Sequence, residues 1–406
     1  MPVSKPTLCA NLRPPLIEGM ARLTHRAFAG ESLVSLLASP QRTATSLPEA
    51  AALLLDASWA NQLCFRQEQG LALQAQALQH CQIFRVRPAA EQGLRVLALM
   101  APGDLMVNTP LDFITGHAGI ALDLLYIVPG RDLPPVLPDH DVAFFAVSES
   151  DPASLGRLRS LFATWPRPAL NDPARIACLS RENVAAGLSR IPGLCSPAAH
   201  TAVRAELGQG LPAYPALIRP KGSHAGQALA KLDNHAGLDA YLAGNAAERF
   251  TVTEFVDYRS PDGQYRKYRI ACIEGIPYLC HMAVSEHWMV HYLSAGMLES
   301  PEKRAEEARA MARFDAGIAA RHRHAFAELS AWMGLDYYQI DCAETPDGRL
   351  LVFEADVAAI VHAMDPPDLF PYKPPQMRQI FAAFKRMVVR QAALRAAPAP
   401  AAAAAA

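Results

Sequence analysis

No C-x-x-C pair occurs in this 406-residue chain, and its eight cysteines are scattered from Cys9 to Cys342. That spacing excludes a zinc ribbon and a disulfide scaffold, and it suits a reducing compartment. An excess of one charge is lacking as well. Lys and Arg number 38 against 39 Asp and Glu, a formal net charge of −1, so no basic footprint points to nucleic acid. No apolar run approaches the roughly 20 residues of a membrane helix. The N-terminus has no basic stretch leading into an apolar core, which argues against a secretory signal. A cytoplasmic protein with no nucleic-acid or membrane partner is the expectation. His287 and His291 have the i, i+4 spacing of a helical metal pair but lack the intervening Glu of a zinc hydrolase, so the wall of a substrate pocket suits them better.

What is present has the length for two or three domains with a sizeable core. Residues 1–92 read as a helical region, with Pro48–Leu63 and Gln67–Phe84 rich in Ala, Leu and Gln at helical spacing. Near Gly93 short apolar runs begin (Leu94–Met100, Ile120–Val128, Val142–Val147), followed by a helical Asp151–Thr164. This pattern predicts a small α/β domain with a parallel sheet over 93–170. Ser180 is placed to cap a helix running to about Arg190. From Tyr214 to Asp356 the chain reads as strands and hairpins around one helical insert. The insert starts at Ser300-Pro301, ends at Gly334 and breaks near 315–317. His322 and His324 on it are expected in solvent, as are Arg378, Lys385 and Arg386 on a last helix over Pro375–Leu394. The Ala/Pro tail, 396–406, reads as disordered. The class is α/β, or α+β.

The most specific local signal is a hairpin. Tyr337–Glu344 and Arg349–Asp356 flank Asp347-Gly348, a two-residue turn signature. With that turn Asp341 faces Glu354, and Gln339 faces Asp356 on the same side, while Ile340, Cys342, Leu351 and Phe353 form the apolar side. Carboxylates directly opposed across a ladder have Cβ atoms only ~5 Å apart and repel. Such a pair persists where one is protonated or a cation lies between them; a solvated acidic edge is the plain alternative.

Three further segments complement it. Arg219-Pro-Lys221-Gly222-Ser223-His224-Ala-Gly226 follows a strand, and its glycines allow backbone N–H groups to cradle phosphate while Arg219 clamps an oxyanion. Glu254-Phe255-Val256-Asp257 ends a strand with polar groups suited to a base edge and a ribose. Lys267 and Arg269 share one strand face, and two neighbouring cations explain an acidic hairpin if both face a magnesium–polyphosphate. A turn, an edge strand and a basic solvent face remain the plainer readings of these three.

The order of these segments resembles the ATP-grasp superfamily, which includes glutathione synthetase and D-alanine–D-alanine ligase; the resemblance runs from about Asn171 to Met387. It implies a pre-ATP-grasp α/β domain (93–170) followed by an ATP-grasp domain (171–395) in which ATP lies between two antiparallel sheets. Arg219 then takes the place of the usual phosphate-binding lysine, with Lys221 close by. Gly222–Gly226 cover the phosphates, Glu254–Asp257 hold adenine and ribose, and Arg269, with Lys267, stabilises the transferred phosphoryl. Asp341 and Glu354 match Mg2+ ligands, and Asp356 stands where asparagine is usual. Trp288–Met297 fall where related ligases contact substrate, and His362 and Asp365 follow the metal hairpin closely.

The implied activity is an ATP- and Mg2+-dependent ligase joining a small-molecule or peptide carboxylate to an amine through an acyl-phosphate. A phosphotransferase and a nucleotide-regulated protein-binding module are the alternatives. A homodimer is expected from the relatives, and the N-terminal helices are a candidate protein-docking region.

Overall fold

The computed structural model describes residues 6–37, 43–88, 93–223 and 226–394. The expected tail at 396–406 and the candidate His224 lie outside them. The first half contains β1 (Thr7–Cys9), β2 (Leu16–Ile17), β3 (Ile83–Val86), β4 (Leu94–Met100), β5 (Ile120–Tyr126), β6 (Val136–Pro138), β7 (Val142–Phe145) and β8 (Ala169–Leu170). Strands β2-β3-β5-β4-β7-β8 form one sheet in that order, parallel except for the β3–β5 pair. Near-continuous apolar runs in β4, β5 and β7 reflect burial on both faces. Val96, Ala98, Leu122 and Leu124 pack toward Leu55, Trp59 and Leu78 of the N-terminal helices. Leu97, Leu99 and Phe145 pack toward Leu155, Leu158 and Leu161.

The expected boundary near residue 92 is therefore not a structural one. Strands β2 and β3 lie in the N-terminal stretch yet belong to this sheet, and the helices Leu47–Leu63 and Gln67–His80 cover one of its faces. The second helix also stops short of Phe84. Cys81 turns the chain to extended backbone, and Ile83-Phe84-Arg85-Val86, β-branched and aromatic, is taken into the sheet beside β5.

The second half contributes β9 (Leu194–Cys195), β10 (Ala199–Val203), β11 (Ala216–Pro220), β12 (Ala230–Leu232), β13 (Arg249–Glu254), β14 (Tyr265–Ile273), β15 (Ile276–Ser285), β16 (Tyr337–Glu344) and β17 (Leu350–Asp356). They form two sheets, β10-β13-β11-β12, all antiparallel, and β15-β14-β16-β17-β9, antiparallel but for β9. This is the pair of antiparallel sheets that the resemblance implied.

Ser180 Oγ accepts the Asn183 N–H at 3.3 Å and starts the helix Arg181–Leu188. Ser300 caps Pro301–Ala312 in the same way, and Gly334, at φ +58°, ends Arg323–Met333. His322, expected in solvent, is buried instead, hydrogen-bonded to Glu344 at 2.7 Å, because the insert packs along the hairpin.

The helix Lys373–Ala393 ties the halves together: Phe384 meets Phe144 of β7 at 6.1 Å and Tyr337 of β16 at 5.4 Å between ring centres. Asn171, at the junction, donates to the Tyr337 carbonyl at 2.7 Å and accepts from the Asp336 and Tyr337 N–H groups. Among the described residues no helix is long and apolar enough to cross a membrane.

Candidate active site

The β16–β17 hairpin sets Asp341 against Glu354 and Gln339 against Asp356, as the turn signature required, but by a different route. The ladder closes at Glu344–Leu350, so the loop is Thr345–Arg349, one residue off the expected register. The Thr345 N–H bonds the Arg349 carbonyl, the Gly348 N–H bonds the Thr345 carbonyl, and Gly348 takes φ +82°. A one-residue slip would turn the acids to the opposite face. A bulge at Phe353 absorbs it, since Asp341 pairs with Glu354 while Cys342 pairs with Val352. Below the bulge the faces exchange. Val352 joins Ile340 and Cys342 in the core, whereas Leu351 and Phe353, expected there, pack with Ala343, Val256, Tyr258 and Tyr265.

Arg269 lies directly opposite Asp341 across β14–β16. Its Nε and Nη2 bond the two carboxylate oxygens at 2.8 and 3.0 Å, and Lys267 Nζ reaches Asp341 at 2.8 Å. Burial alone would raise the Asp341 carboxyl; the charges of Arg269 and Lys267 outweigh it and hold the group well below the carboxylate range. Glu354 is paired with Arg181, the first residue of its helix. Among the described residues, Asp356 has no cationic partner at contact distance. Its Oδ1 accepts the Ala358 and Ala359 N–H groups, both at 2.8 Å. Burial, then repulsion from Glu354 and Glu149, pushes it up to about 7.

Glu149, which follows β7, is pushed up to about 7 by burial and by Glu354. Sequence reasoning missed both Glu149 and Arg181. Arg181 followed a capping serine already recognised, and Glu149 lies at the carboxyl end of a buried strand, where open α/β sheets bind ligands.

The glycine-containing loop lies on the other sheet. Arg219 donates from Nε to Ser223 Oγ at 2.9 Å and from Nη2 to the Ser223 carbonyl. Burial, then the nearby Arg181, lowers its guanidinium to about 10. Lys221 Nζ bonds Thr201 Oγ1 at 2.7 Å and lies 3.5 Å from Glu182. Gly222 and Gly226 adopt φ +79° and +73°, the left-handed turns that a side chain would strain.

The β13 linker presents Glu254 and Asp257 to solvent and half-buries Phe255 and Val256. Lys231 Nζ stands 4.5 Å over the Phe255 ring, which meets Trp288 edge-on at 5.8 Å. Asp257 accepts the Arg259 N–H at 3.1 Å. Val256 packs against the aromatic cluster that contains Leu351 and Phe353, which links the linker to the hairpin face.

The structure thus gathers Lys267, Arg269, Asp341, Glu354 and Asp356, with Arg181 and Arg219 electrostatically coupled to Glu354. Lys221 and Glu254–Asp257 carry their own local contacts. The segment with His287 and His291 is not an α-helix, so the helical metal pair does not form. Among the described residues no group of three or more His, Cys, Asp or Glu is arranged to hold a metal ion by itself. His362 is half-buried and Asp365 is 3.1 Å from Lys373 Nζ.

No protein-family profile matches the chain, and no curated protein is similar to it. Solved structures with a related chain trace include the D-alanine–D-alanine ligase from Bacillus anthracis complexed with ATP (12% identity, 75% of this chain and 98% of that one, TM-score 0.43). The VanG D-Ala:D-Ser ligase from Enterococcus faecalis matches at 14% identity over 74% of this chain and 100% of that one, TM-score 0.43. A RimK domain ATP-grasp protein from Sphaerobacter thermophilus matches at 15%, over 72% and 99%, TM-score 0.40.

Proposed function

We propose that this chain is an ATP-grasp ligase that uses Mg·ATP to activate a carboxylate and couple it to an amine. The observation that carries the reading is the interlocked charge on one hairpin face: Asp341 held by Lys267 and Arg269, and Glu354 by Arg181. Partly buried ion pairs contribute little net stability over apolar replacements, whereas their concentration in one place is characteristic of sites that handle charged ligands.

The donor set fits a hard cation bound jointly with phosphate. Magnesium takes one or two carboxylates and completes its shell with phosphate oxygens and water, and Asp341, Glu354 and Asp356 supply oxygen ligands only. Bound there, Mg2+ would neutralise the β- and γ-phosphate charge. Arg181, Lys267 and Arg269 would exchange their carboxylate partners for phosphate oxygens, and Arg219 with Lys221, Gly222, Ser223, His224 and Gly226 would close over the triphosphate from the other sheet. Phe255 and Val256 would flank the base, with Glu254 and Asp257 at its polar edge and the ribose.

The γ-phosphoryl group passes to a carboxylate oxygen of the substrate and ADP leaves. The amine then attacks the acyl carbon, phosphate departs with the C–O bond pair, and the amine's proton is released. Arg269, half-buried and bonded to Asp341, is suited to stabilise charge on the transferring group.

Incubation with Mg·ATP and a panel of carboxylate and amine pairs tests the reading. Free phosphate and an amide mass equal to the two substrates less water are expected. A product that retains phosphate would replace the ligase with a phosphotransferase, and no ADP release with any pair would leave only nucleotide binding.

A further inference from the structure

The first half of the molecule holds a hollow that the nucleotide reading does not touch. It encloses about 380 Å3, and Arg13, Arg85, Arg95 and Asp139 line it together with Leu12 and Pro138. Strands β4 and β7 run parallel. Arg95, at the amino end of β4, is therefore at the opposite end of the sheet from Glu149, which follows the carboxyl end of β7. The segment 10–13, just after β1, forms one wall. It is pinned where the Leu12 and Asp139 N–H groups both donate to the Cys9 carbonyl, at 3.3 and 3.1 Å.

Three guanidinium groups lining one hollow repel each other unless anions lie among them. Arg85 and Asp123 face each other across β3–β5, with Nε and Nη2 bonded to the two carboxylate oxygens at 2.7 Å each. Asp123 is 2% exposed and stands beside Ile83, Leu97, Leu99 and Leu125 of the core. An apolar pair at this place would be at least as stable. The carboxylate instead fixes the guanidinium, whose Nη1 makes no hydrogen bond among the described residues. Arg95 Nη2 reaches Asp139 at 3.3 Å, and Arg167 shares that carboxylate at 2.7 Å. Asp141 accepts the Arg95 N–H at 2.8 Å. Among the described residues Arg13 pairs with no carboxylate; its Nη1 donates to the Ala10 and Leu12 carbonyls at 2.7 and 3.3 Å. Four arginines thus meet three carboxylates, and the complement still lacking is negative. Planar guanidinium forks match the oxygens of a carboxylate or a phosphate.

We propose that this hollow is a second ligand site, which binds the carboxylate or phosphate group of a small organic anion through Arg13, Arg85 and Arg95. Leu12 and Pro138 then contact the apolar part of the ligand. The bound anion bridges the 10–13 segment to β3 and β4. The site does not depend on the ligase reading.

Titration calorimetry on the full chain tests the site with inorganic phosphate, glycerol 3-phosphate and succinate, ionic strength being held constant with sodium chloride. Arg13→Met and Arg95→Met remove donors without stranding a buried charge, because Arg13 is exposed and Asp139 keeps Arg167. Saturable binding of at least one probe is expected in wild type. Each variant is expected to weaken it about ten-fold or more. Arg219→Met, which alters the glycine loop instead, is expected to leave it within about two-fold. Tighter binding of phosphate and its ester identifies a phosphate site, and tighter binding of succinate a carboxylate site; both results support the proposal. No saturable binding of any probe overturns it. Binding that Arg219→Met abolishes and Arg13→Met leaves intact also overturns it, since the anion then sits at the nucleotide site. Thermal unfolding is the second measurement. The probe that binds is expected to raise the wild-type midpoint more than that of Arg13→Met, and equal rises in the two proteins sink the assignment.

Discussion

Arg269 and Asp341 face each other across the β14–β16 ladder, the guanidinium bonded to both carboxylate oxygens. Since Lys267 bonds the same carboxylate, Asp341→Asn leaves two largely buried cations without their counter-charge. The loss is expected to be about 3 kcal/mol in the ligand-free protein, read as a lower urea midpoint, together with loss of Mg·ATP turnover. Arg269→Ala is expected to lower kcat by two orders of magnitude or more while the Kd for ATP changes several-fold at most, because the charge matters most in the transition state. A defect confined to ATP affinity would remove Arg269 from the chemistry.

Glu354→Gln separates metal binding from stability better than Asp341→Asn does. Glu354 is a third exposed and, among the described residues, has one cationic partner, Arg181. The variant is expected to fold with near wild-type stability and to lose Mg-dependent ADP release by at least ~100-fold. Wild-type turnover would show that the hairpin is not the metal site.

Arg181→Met frees Glu354 from its partner. Mn2+ affinity without nucleotide is expected to rise, while the KM for ATP increases about ten-fold as a phosphate contact is lost. Opposite signs for ion and nucleotide distinguish a shared role from simple damage to the pocket. Titration calorimetry with Mn2+ alone and with a non-hydrolysable ATP analogue checks both.

The Glu149 carboxyl, near pH 7 in the folded chain, lies above its unfolded value of about 4.3. Between those values the folded state binds more protons than the unfolded state, so stability falls as pH rises through this window. The effect is on the order of 2 kcal/mol and is expected to be absent in Glu149→Gln. Urea denaturation at pH 5.0 and 7.5 measures it; equal slopes for wild type and variant would place Glu149 in solvent.

Much of this arrangement was legible in local pattern. The Asp347-Gly348 signature located the hairpin, alternation placed Asp341, Glu354, Gln339 and Asp356 on one side, and Ser180, Ser300 and Gly334 bounded their helices. Tertiary pairing was not legible. The Phe353 bulge compensates a loop of different length, and a bulge has no signal in a run of apolar residues. Lys267 and Arg269 were expected to face phosphate; that they neutralise Asp341 depends on β14 lying beside β16, a long-range choice. Ile83 and Phe84 read as the end of a helix because their strand partner, β5, lies some 40 residues away in the chain. Glu149 was invisible for the same reason, since its importance comes from a hairpin about two hundred residues later.

The buried Lys373 extends this logic beyond the catalytic charges. Its Nζ lies 3.1 Å from Asp365 and 3.5 Å from the fully buried Glu307, and it also bonds the Tyr292 hydroxyl. Glu307 accepts from the Met282 N–H and from the hydroxyls of Tyr292 and Tyr372. One cation therefore fixes the last helix, the insert helix, β15 and the Trp288–Met297 segment against one another. Lys373→Met is expected to cost about 3–5 kcal/mol, because Glu307 is left charged and unpaired away from water. Adding Glu307→Gln is expected to recover part of that loss, since the remaining groups are neutral and retain hydrogen bonds. Urea denaturation of the two single variants and the double variant gives the coupling directly. Additive losses would mean that the lysine and the glutamate do not sense each other, and Lys373 would then hold the segment only by packing over the rings of Tyr292 and Phe370, at 4.2 and 4.6 Å.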